Sequence, residues 1–221
     1  MAEFELEIKF QTLTDTAAKI TKRLQYLEDV AAVTKLHHAY GHYLEHWDAE
    51  EIIGLFSHSD EVSVEIHDTG LYKGWEAVEK SFHFADHYTA FNGRKTAPPE
   101  FLHILIPKAG FVDISPDGKR AKGRFYGYGT AALDRGDKLR AMIGAGIWEN
   151  EHIKEDGVWK ILKIFWNEII ASPLDEGWVK TPYLANPPAK NRPPSGPNTH
   201  PATYPSGYIF PYHYKNPVTG K

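Results

Sequence analysis

Helical spacing of apolar residues dominates the chain before about residue 92, and strand alternation dominates between residues 100 and 171. Apolar residues three and four positions apart predict a helix from Thr14 or Asp15 to about Trp47. Two shorter helices are predicted, one capped by Asp48 and one over about Trp75–Phe91. A hairpin is predicted between them, with strands over Glu61–Ile66 and Gly70–Gly74.

Long strands joined by tight turns are predicted for the second half of the chain. They are Glu100–Ile106 with Phe111–Ile114, then Ala121–Leu133, Leu139–Ile153 and Val158–Ala171. The segments SPDG, RGD and EDG between them have the composition of turns. Helices followed by a meander of antiparallel strands indicate an α+β domain. We therefore expect a cone-shaped, curved antiparallel sheet that is closed by the N-terminal helices and encloses one pocket for a small ligand.

Prolines are concentrated at the C-terminal end, where eleven of the fifteen lie between Pro173 and Pro217. Proline fixes φ and has no backbone N–H, so neither a regular helix nor an interior strand fits there. The same segment is rich in aromatic residues, which disordered segments usually lack. These residues are Trp178, Tyr183, Tyr204, Tyr208, Phe210, Tyr212 and Tyr214. The sequence thus predicts a domain over residues 1–171 and an extended C-terminal arm over residues 172–221, packed on its own domain or on a neighbouring subunit.

Composition excludes several classes of protein. The net charge of −4 comes without a polybasic run, so the electrostatic signature of a nucleic-acid-binding protein is missing. No apolar stretch approaches the length of a membrane span, and the first ten residues carry acids where a secretory signal carries bases. With no cysteine there are no disulfides and no Cys-ligated metals. We expect a cytoplasmic protein with no membrane and no nucleic-acid partner.

Twelve histidines raise the question of a metal site. His38, His42 and His46 are spaced by four residues, as are His83 and His87, and such spacing aligns imidazoles on one face of a helix. A stable site needs further ligands, and neither an HExxH motif nor a frame of paired carboxylates surrounds them. The pattern therefore favours solvated or locally hydrogen-bonded histidines, and no metal is expected.

Tyr40, Glu45 and His103 form a more specific combination. Tyr40 and Glu45 lie near the end of the long predicted helix, about 140° apart on an ideal wheel, and could flank the mouth of one cavity. His103 lies in an apolar strand, where a polar residue requires a partner. A carboxylate beside the imidazole would make it a general base, and a buried tyrosine could donate a proton or stabilise an oxyanion. On composition alone, a satisfied core histidine is the commoner explanation.

Five short motifs occur in an order and spacing that point to one family. They are YGHYLExxD from Tyr40 to Asp48, FLH ending at His103, AKGRFY ending at Tyr126, GIWE around Trp148, and DGVWKI ending at Ile161. Over about two thirds of its length, from Leu27 to Ile170, the chain resembles the SnoaL-like branch of the nuclear-transport-factor-like superfamily. Within that branch it is most similar to the bile acid 7α-dehydratases and the scytalone dehydratases.

The resemblance implies catalytic roles for Tyr40, Glu45 and His103, with Glu replacing the aspartate of the family. Other family positions are not matched. A second histidine and an asparagine of the scytalone dehydratases correspond to Ala131 and Trp148, and an aspartate and an arginine of the bile acid enzymes correspond to Gly129 and Glu168. These departures speak against either known substrate, while they leave the proposed base pair in place.

An aromatic pocket is expected around this base. Tyr126 and Tyr128 share one face of their strand, opposite to Phe125, and would suit a flat, hydroxylated substrate if that face is inside. Core packing is the alternative for each of these residues. The other candidates for substrate binding are Trp148, Asn167, Glu168 and His67, with Glu65 beside His67. Asn167 and Glu168 alternate, so only one of them can face the pocket.

The resemblance implies a cofactor-independent lyase that dehydrates its substrate or cleaves a C–C bond with loss of formaldehyde. The second outcome is suggested by similar proteins that release formaldehyde from lignin-derived diaryl propanediols. An isomerase or cyclase, and a non-catalytic binding or assembly module, remain open as alternatives. No Gly-rich phosphate loop is present, so no nucleotide cofactor is expected. The aromatic arm and the outer sheet face both need cover, which favours a homo-oligomer, with a trimer preferred over a dimer.

Overall fold

The computed structural model describes residues 2–67, 69–83, 91–134, 139–183, 193–201 and 203–221. Its helices are α1 (Ala2–His46), α2 (Ala49–Ile53), α3 (Trp75–Phe82) and α4 (Gly177–Lys180). Its strands are β1 (Ser63–Ile66), β2 (Gly70–Lys73), β3 (Leu102–Ile114), β4 (Arg120–Asp134), β5 (Leu139–Glu155) and β6 (Val158–Pro173).

Helix α1 begins twelve or thirteen residues before the predicted start, because nothing in the sequence stops it. No Pro or Gly occurs between residues 2 and 40. Thr14, which was predicted as a possible cap, lies inside the helix instead, and like Thr12 and Thr16 it donates a hydrogen bond to the carbonyl four residues earlier. The prediction of Asp48 as a cap is confirmed, since its carboxylate accepts a hydrogen bond from the Glu51 N–H at the start of α2.

The six strands form one sheet in the order β2-β1-β6-β5-β4-β3. Every pair is antiparallel except β1 with β6, which run parallel. Because β2 and β3 are the two edges, the sheet curves without closing. The predicted α+β cone, a curved sheet covered by the N-terminal helix, is confirmed with this one parallel pair as a difference. A register shift between Lys108 and Phe111 joins the two predicted pieces of β3 into a single strand.

The core lies between the second half of α1 and the inner face of the sheet. Val33 and Tyr40 of α1 are buried, and Phe125, Trp148 and Trp166 of β4, β5 and β6 are buried on the sheet side. The third predicted helix ends at Phe82, with His83 as its C-cap, and residues 84–90 of its predicted range lie outside the described residues, as does the RGD turn. Within the described ranges, no helix has the length and apolar character that a membrane span requires.

Residues 195–201 and 203–214, which we call the C-terminal strap, cross the outer face of the same sheet. The strap meets all six strands, through Gly196 with Leu71 on β2, Thr199 with Glu65 on β1, Phe210 with Phe165 on β6, His213 with Glu149 on β5, Pro211 with Arg124 on β4, and Tyr214 with Phe111 on β3. Backbone hydrogen bonds pair Leu71 with Ser195 and Gly196 at one end. The strap therefore packs on its own chain, one of the two arrangements that the sequence left open.

Candidate functional site

His103 is held by the end of helix α1. Its Nδ1 lies 3.2 Å from the carbonyl oxygen of Leu44. A carbonyl only accepts, so Nδ1 carries the proton and donates, and the lone pair is on Nε2. The Leu44 carbonyl lies in the last turn of α1, where it accepts the Trp47 N–H at 3.2 Å and has a second lone pair left for the imidazole. The indole of Trp47 lies edge-on at 5.9 Å from the half-buried imidazole.

Glu45 does not make the predicted contact with His103. Among the described residues its carboxylate forms no hydrogen bond and no ion pair. The reason is geometric. The Glu45 side chain points about 100° around the helix from that of Leu44, and His103 Nδ1 is already hydrogen-bonded to the Leu44 carbonyl. The orienting group for His103 is therefore a backbone carbonyl rather than the carboxylate that the sequence suggested.

Tyr40 lies one helical turn before Leu44, on the same face of α1, and is buried. Its ring packs edge-on against Phe82 at a centroid distance of 6.3 Å. Burial raises the pKa of Tyr40 well above its ordinary value, because the phenolate would lose its hydration. No hydrogen bond to its hydroxyl occurs among the described residues. Tyr40 is thus protonated at neutral pH, and its hydroxyl is a donor that bonds to no described residue.

Trp148 faces the inside of the cone but belongs to the packed core. Its ring lies 4.6 Å from that of Trp166 and 4.8 Å from that of His37. Glycines lie beside the two indole rings and leave room for them. A Cβ on Gly127 or Gly146 would come within 2.7 Å of the indoles. The Trp148 ring therefore faces the interior, where it is already packed against other side chains.

The choice between Asn167 and Glu168 is settled by the strap. Asn167 is buried on the outer face, where its side chain donates to the Pro201 carbonyl at 3.5 Å and accepts from the Thr203 hydroxyl at 3.3 Å. Alternation along β6 places Glu168 on the opposite face, the one that Trp166 shares. Of the two residues, Glu168 is the one directed to the interior.

Tyr126 and Tyr128 do not line the interior, and their assignment to the pocket was wrong. They are 52% and 51% exposed on the outer face, whereas Phe125 between the helix and the sheet is buried. Alternation correctly separated the two tyrosines from Phe125 but does not tell which face is inside. The strap covers only part of this outer face and leaves both tyrosines exposed.

The two candidates at the end of β1 lie near the strap side of the sheet. Glu65 is buried on the outer face and accepts hydrogen bonds from the backbone N–H and the hydroxyl of Thr199, at 2.6 and 2.9 Å. His67 continues the pairing with β6 through its backbone N–H, which donates to the Trp166 carbonyl at 3.1 Å. Its ring lies 5.6 Å from that of Tyr183. Glu65 thus anchors the strap.

Sequence reasoning missed a buried polar group formed by His37, Asn150 and His152. The Asn150 side-chain amide lies 3.2 Å from His37 Nδ1, and the His37 ring stacks on Phe125 at 4.0 Å. Burial lowers the pKa of His152 to about 4, and it lowers that of His37 well below its usual value with the help of the neighbouring His152. Both imidazoles are therefore neutral at pH 7. The sequence did indicate that His37 is buried, because it lies on the same face of α1 as the apolar residues Val33 and Tyr40.

The histidines singled out for their spacing lie elsewhere. His38, His42 and His46 are exposed on the side of α1 that faces away from the sheet. His87, the second member of the other pair, lies outside the described residues. Within the part of the chain that the structure describes, no group of three or more His, Asp or Glu residues has the arrangement of a metal site.

Three solved structures illustrate the fold. The hexachlorocyclohexane dehydrochlorinase LinA-type3 of Novosphingobium barchaimii is 18% identical, with a TM-score of 0.53, over 69% of this chain and 94% of that one. A scytalone dehydratase-like protein of Novosphingobium aromaticivorans is 15% identical, with a TM-score of 0.53, over 67% and 89%. A type 2 LinA dehydrochlorinase is 19% identical, with a TM-score of 0.54, over 69% and 93%.

None of the curated proteins compared with this sequence matches it. The model of the SnoaL-like domain matches residues 25–164, which is more than half of the chain. That range runs from the second half of α1 into the first half of β6 and includes Tyr40, Glu45 and His103. The chain is therefore a member of the SnoaL-like domain family, a family whose fold is the cone of helix and curved sheet described above.

Proposed function

We propose that this protein is a cofactor-independent lyase that acts on a hydroxylated aromatic or polycyclic small molecule, with His103 as its general base. The observation that carries the proposal is the 3.2 Å contact from His103 Nδ1 to the Leu44 carbonyl. It fixes the tautomer in which Nε2 is the proton acceptor, which is what a base in an elimination requires. Trp47 limits the imidazole on one side and supplies an apolar wall for a flat substrate.

Two reactions fit a base with a proton donor nearby. In a dehydration, His103 removes a proton from carbon, the C–H electrons form a double bond, and the hydroxyl on the adjacent carbon leaves as water after it gains a proton. In a C–C cleavage, His103 removes the O–H proton of a hydroxymethyl group, and the oxygen of that group becomes the carbonyl oxygen of formaldehyde. The electrons of the broken C–C bond then pass to the remaining carbon, which is protonated.

Tyr40 is the proposed proton donor in either reaction. Its raised pKa keeps the hydroxyl protonated, and its position one turn before Leu44 puts it on the side of the helix that holds His103. A phenol of this kind protonates a leaving hydroxyl or stabilises a developing oxyanion. Glu168, on the inner face of β6, is proposed as a group that contacts the substrate.

The structural relatives support a reaction of this class. A dehydrochlorinase and a dehydratase both remove a proton and a leaving group from neighbouring atoms, which needs a base and no redox cofactor. The second candidate, a non-catalytic binding module, is favoured by one observation, namely that Trp148 is fully buried against His37 and Trp166 and fills part of the interior. An activity screen separates the two.

The test is incubation with a panel of hydroxylated aromatic and steroid compounds, followed by mass spectrometry for products that have lost water or formaldehyde. We expect His103→Gln to lower turnover by about 10²–10⁴-fold, the usual contribution of a general base. Tyr40→Phe is expected to lower turnover without loss of stability, because its hydroxyl has no partner among the described residues. Glu45→Gln should have a smaller effect than His103→Gln, because Leu44 orients the base.

The matched control is His42→Gln, the same substitution at an exposed histidine of α1. It is expected to retain wild-type turnover. A wild-type protein that binds panel members and converts none of them would establish the binding module instead. Full turnover in a folded His103→Gln variant would remove His103 from the mechanism.

A further inference from the structure

The first half of helix α1 projects from the body with its apolar side chains in solvent. Every described residue from Glu3 to Glu28 is exposed, and the first buried position is Asp29. Six large apolar side chains in this stretch are between 54% and 71% exposed: Leu6, Phe10, Leu13, Ile20, Leu24 and Leu27. Helical stability in proteins comes mainly from packing of an apolar face, and among the described residues of the chain nothing packs against this face.

These six residues, with Ala17 and Ala31, repeat at alternating steps of four and three. The positions 6, 10, 13, 17, 20, 24, 27 and 31 follow this rule without a break. An alternation of four and three is the heptad repeat of a coiled coil, in which the apolar a and d residues form one seam. Here the d positions are Leu6, Leu13, Ile20 and Leu27, and the a positions are Phe10, Ala17, Leu24 and Ala31.

The seam points away from the body of the protein. Asp29, Val33 and His37 mark the stripe of α1 that is buried against the sheet. At about 100° per residue, Leu24 and Leu27 lie roughly 150° around the helix from that stripe. A second helix can therefore approach the seam along its whole length, about 40 Å, without meeting the sheet of the same chain.

We propose that a second copy of this chain packs on this seam, so that the N-terminal halves of two α1 helices form a parallel coiled coil. Charge supports the parallel arrangement, in which Arg23 at g faces Glu28 at e of the other copy. In the antiparallel register that keeps all apolar layers, Glu7 would face Glu28, and the two like charges would repel. The proposal is independent of the function proposed above.

A membrane surface is a poorer occupant for the same helix. Residues 3–28 carry five acidic and four basic side chains, so the polar face is not cationic. Helices that lie on membranes usually carry Lys and Arg on the polar face, attracted by anionic lipids. The outer sheet face, for its part, is crossed by the strap, whereas no described residue covers the apolar side of the first half of α1.

The first test measures the mass of the full chain in solution by sedimentation velocity over a range of concentrations. We expect an oligomer that Ile20→Asp, at a d position, dissociates with at least a tenfold increase in the dissociation constant. The matched control is Ile8→Asp, the same substitution at an exposed residue of the same helix outside the seam. A monomeric wild-type protein, or equal effects of the two variants, would overturn the proposal.

The second test uses the absence of cysteine from the chain. In a parallel pair the two Leu6 residues face each other, so Leu6→Cys should form a disulfide-linked dimer under mild oxidation, whereas Ile8→Cys should not. Addition of Ile20→Asp to Leu6→Cys should abolish the cross-link. Equal cross-linking of both cysteine variants, or none in a folded Leu6→Cys protein, would contradict a parallel seam between copies.

Discussion

Two glycines of β5, Gly144 and Gly146, face the same side of the sheet but have different surroundings. A Cβ on Gly146 would lie 2.5 Å from the Trp166 indole, which is held by Trp148 and cannot move freely. A Cβ on Gly144 would have its nearest neighbour at 3.9 Å, an ordinary contact. We expect Gly146→Ala to lower the free energy of unfolding by about 1–3 kcal/mol, the usual cost of overpacking.

Urea denaturation followed by tryptophan fluorescence measures this effect, with Gly144→Ala as the matched control on the same strand. Gly144→Ala should leave the stability unchanged or raise it by a few tenths of a kcal/mol, because alanine loses less backbone entropy than glycine on folding. The account of the packed indoles fails if the two variants are equally stable.

Individual residues were predictable where a polar group interrupts an apolar pattern. His103 was singled out in this way, whereas Tyr40 was chosen for its place near the end of the long helix and from the family resemblance, and the catalytic roles of both stay predictions. The assignment of Tyr126 and Tyr128 to the pocket was wrong because alternation defines two faces and not which one is buried. Gly127 and Gly129, which alternate with the tyrosines, were the better signal, since glycine on one face of a strand indicates that a large ring or another backbone approaches there.

At the scale of elements, a cluster of contacts around Phe210 attaches the middle of the strap to the sheet. Phe210 is buried, and its ring stacks on Phe165 of β6 at 4.7 Å. Next to it, Arg124 of β4 donates to the Pro211 carbonyl at 3.0 Å and forms an ion pair with Glu149 of β5 at 3.1 Å. The strap has no regular secondary structure of its own, so these side-chain contacts determine whether it stays on the sheet.

We therefore expect Phe210→Ala to release the strap while the sheet remains folded. Loss of this buried ring should speed hydrogen exchange of residues 203–214 by about tenfold or more, since less apolar surface is buried in the closed state. The neighbouring residue provides the control, because Ile209 is exposed and Ile209→Ala removes no packed group. Unchanged exchange in Phe210→Ala, or equal acceleration in both variants, would show that Phe210 is not the anchor.

Element boundaries were predictable where turn chemistry defines them. Ser115 donates to the Asp117 carboxylate in the turn before β4, and Asp156 and Gly157 adopt positive φ between β5 and β6, as turn sequences of this kind require. The predicted strand ends are accordingly close to the observed ones. The start of α1 was missed because threonine is read as a cap, and no local signal tells whether its hydroxyl bonds a free N–H or a carbonyl inside the helix. Contacts of the strap depend on the whole sheet and leave no local pattern.

For the molecule as a whole, the buried histidines link stability to pH. His37 and His152 stay neutral in the folded protein because burial lowers their pKa values, that of His152 to about 4. For His152, an interaction with the Ala121 backbone raises the pKa but only partly offsets the effect of burial. Neither ring nitrogen of His152 forms a hydrogen bond of good geometry with the described residues. In the unfolded chain both groups take up a proton near pH 6.5.

The unfolded state therefore binds more protons than the folded state between about pH 6.5 and pH 4. The stability that the neutral histidines contribute is fully present above this range, and the free energy of unfolding falls as the pH drops through it. His152 alone accounts for a loss of about 3 kcal/mol, and His37 adds to it. Asp29 acts at lower pH. Burial alone would raise its pKa, but hydrogen bonds from Lys154 and Trp159 outweigh that effect and lower it. The stability that this carboxylate contributes is therefore lost as the pH falls from the ordinary carboxyl pKa through the lower pKa of the folded state.

Urea denaturation at pH 7, 6 and 5 measures this dependence. His152→Leu should make the decline in the free energy of unfolding visibly shallower, because the variant has one fewer group that takes up a proton on unfolding. His42→Leu, the same change at an exposed histidine, should keep the wild-type decline, since that imidazole is solvated in both states. If wild type and His152→Leu lose stability in parallel, His152 titrates normally, and the acid sensitivity of this cone has to come from its carboxylates instead.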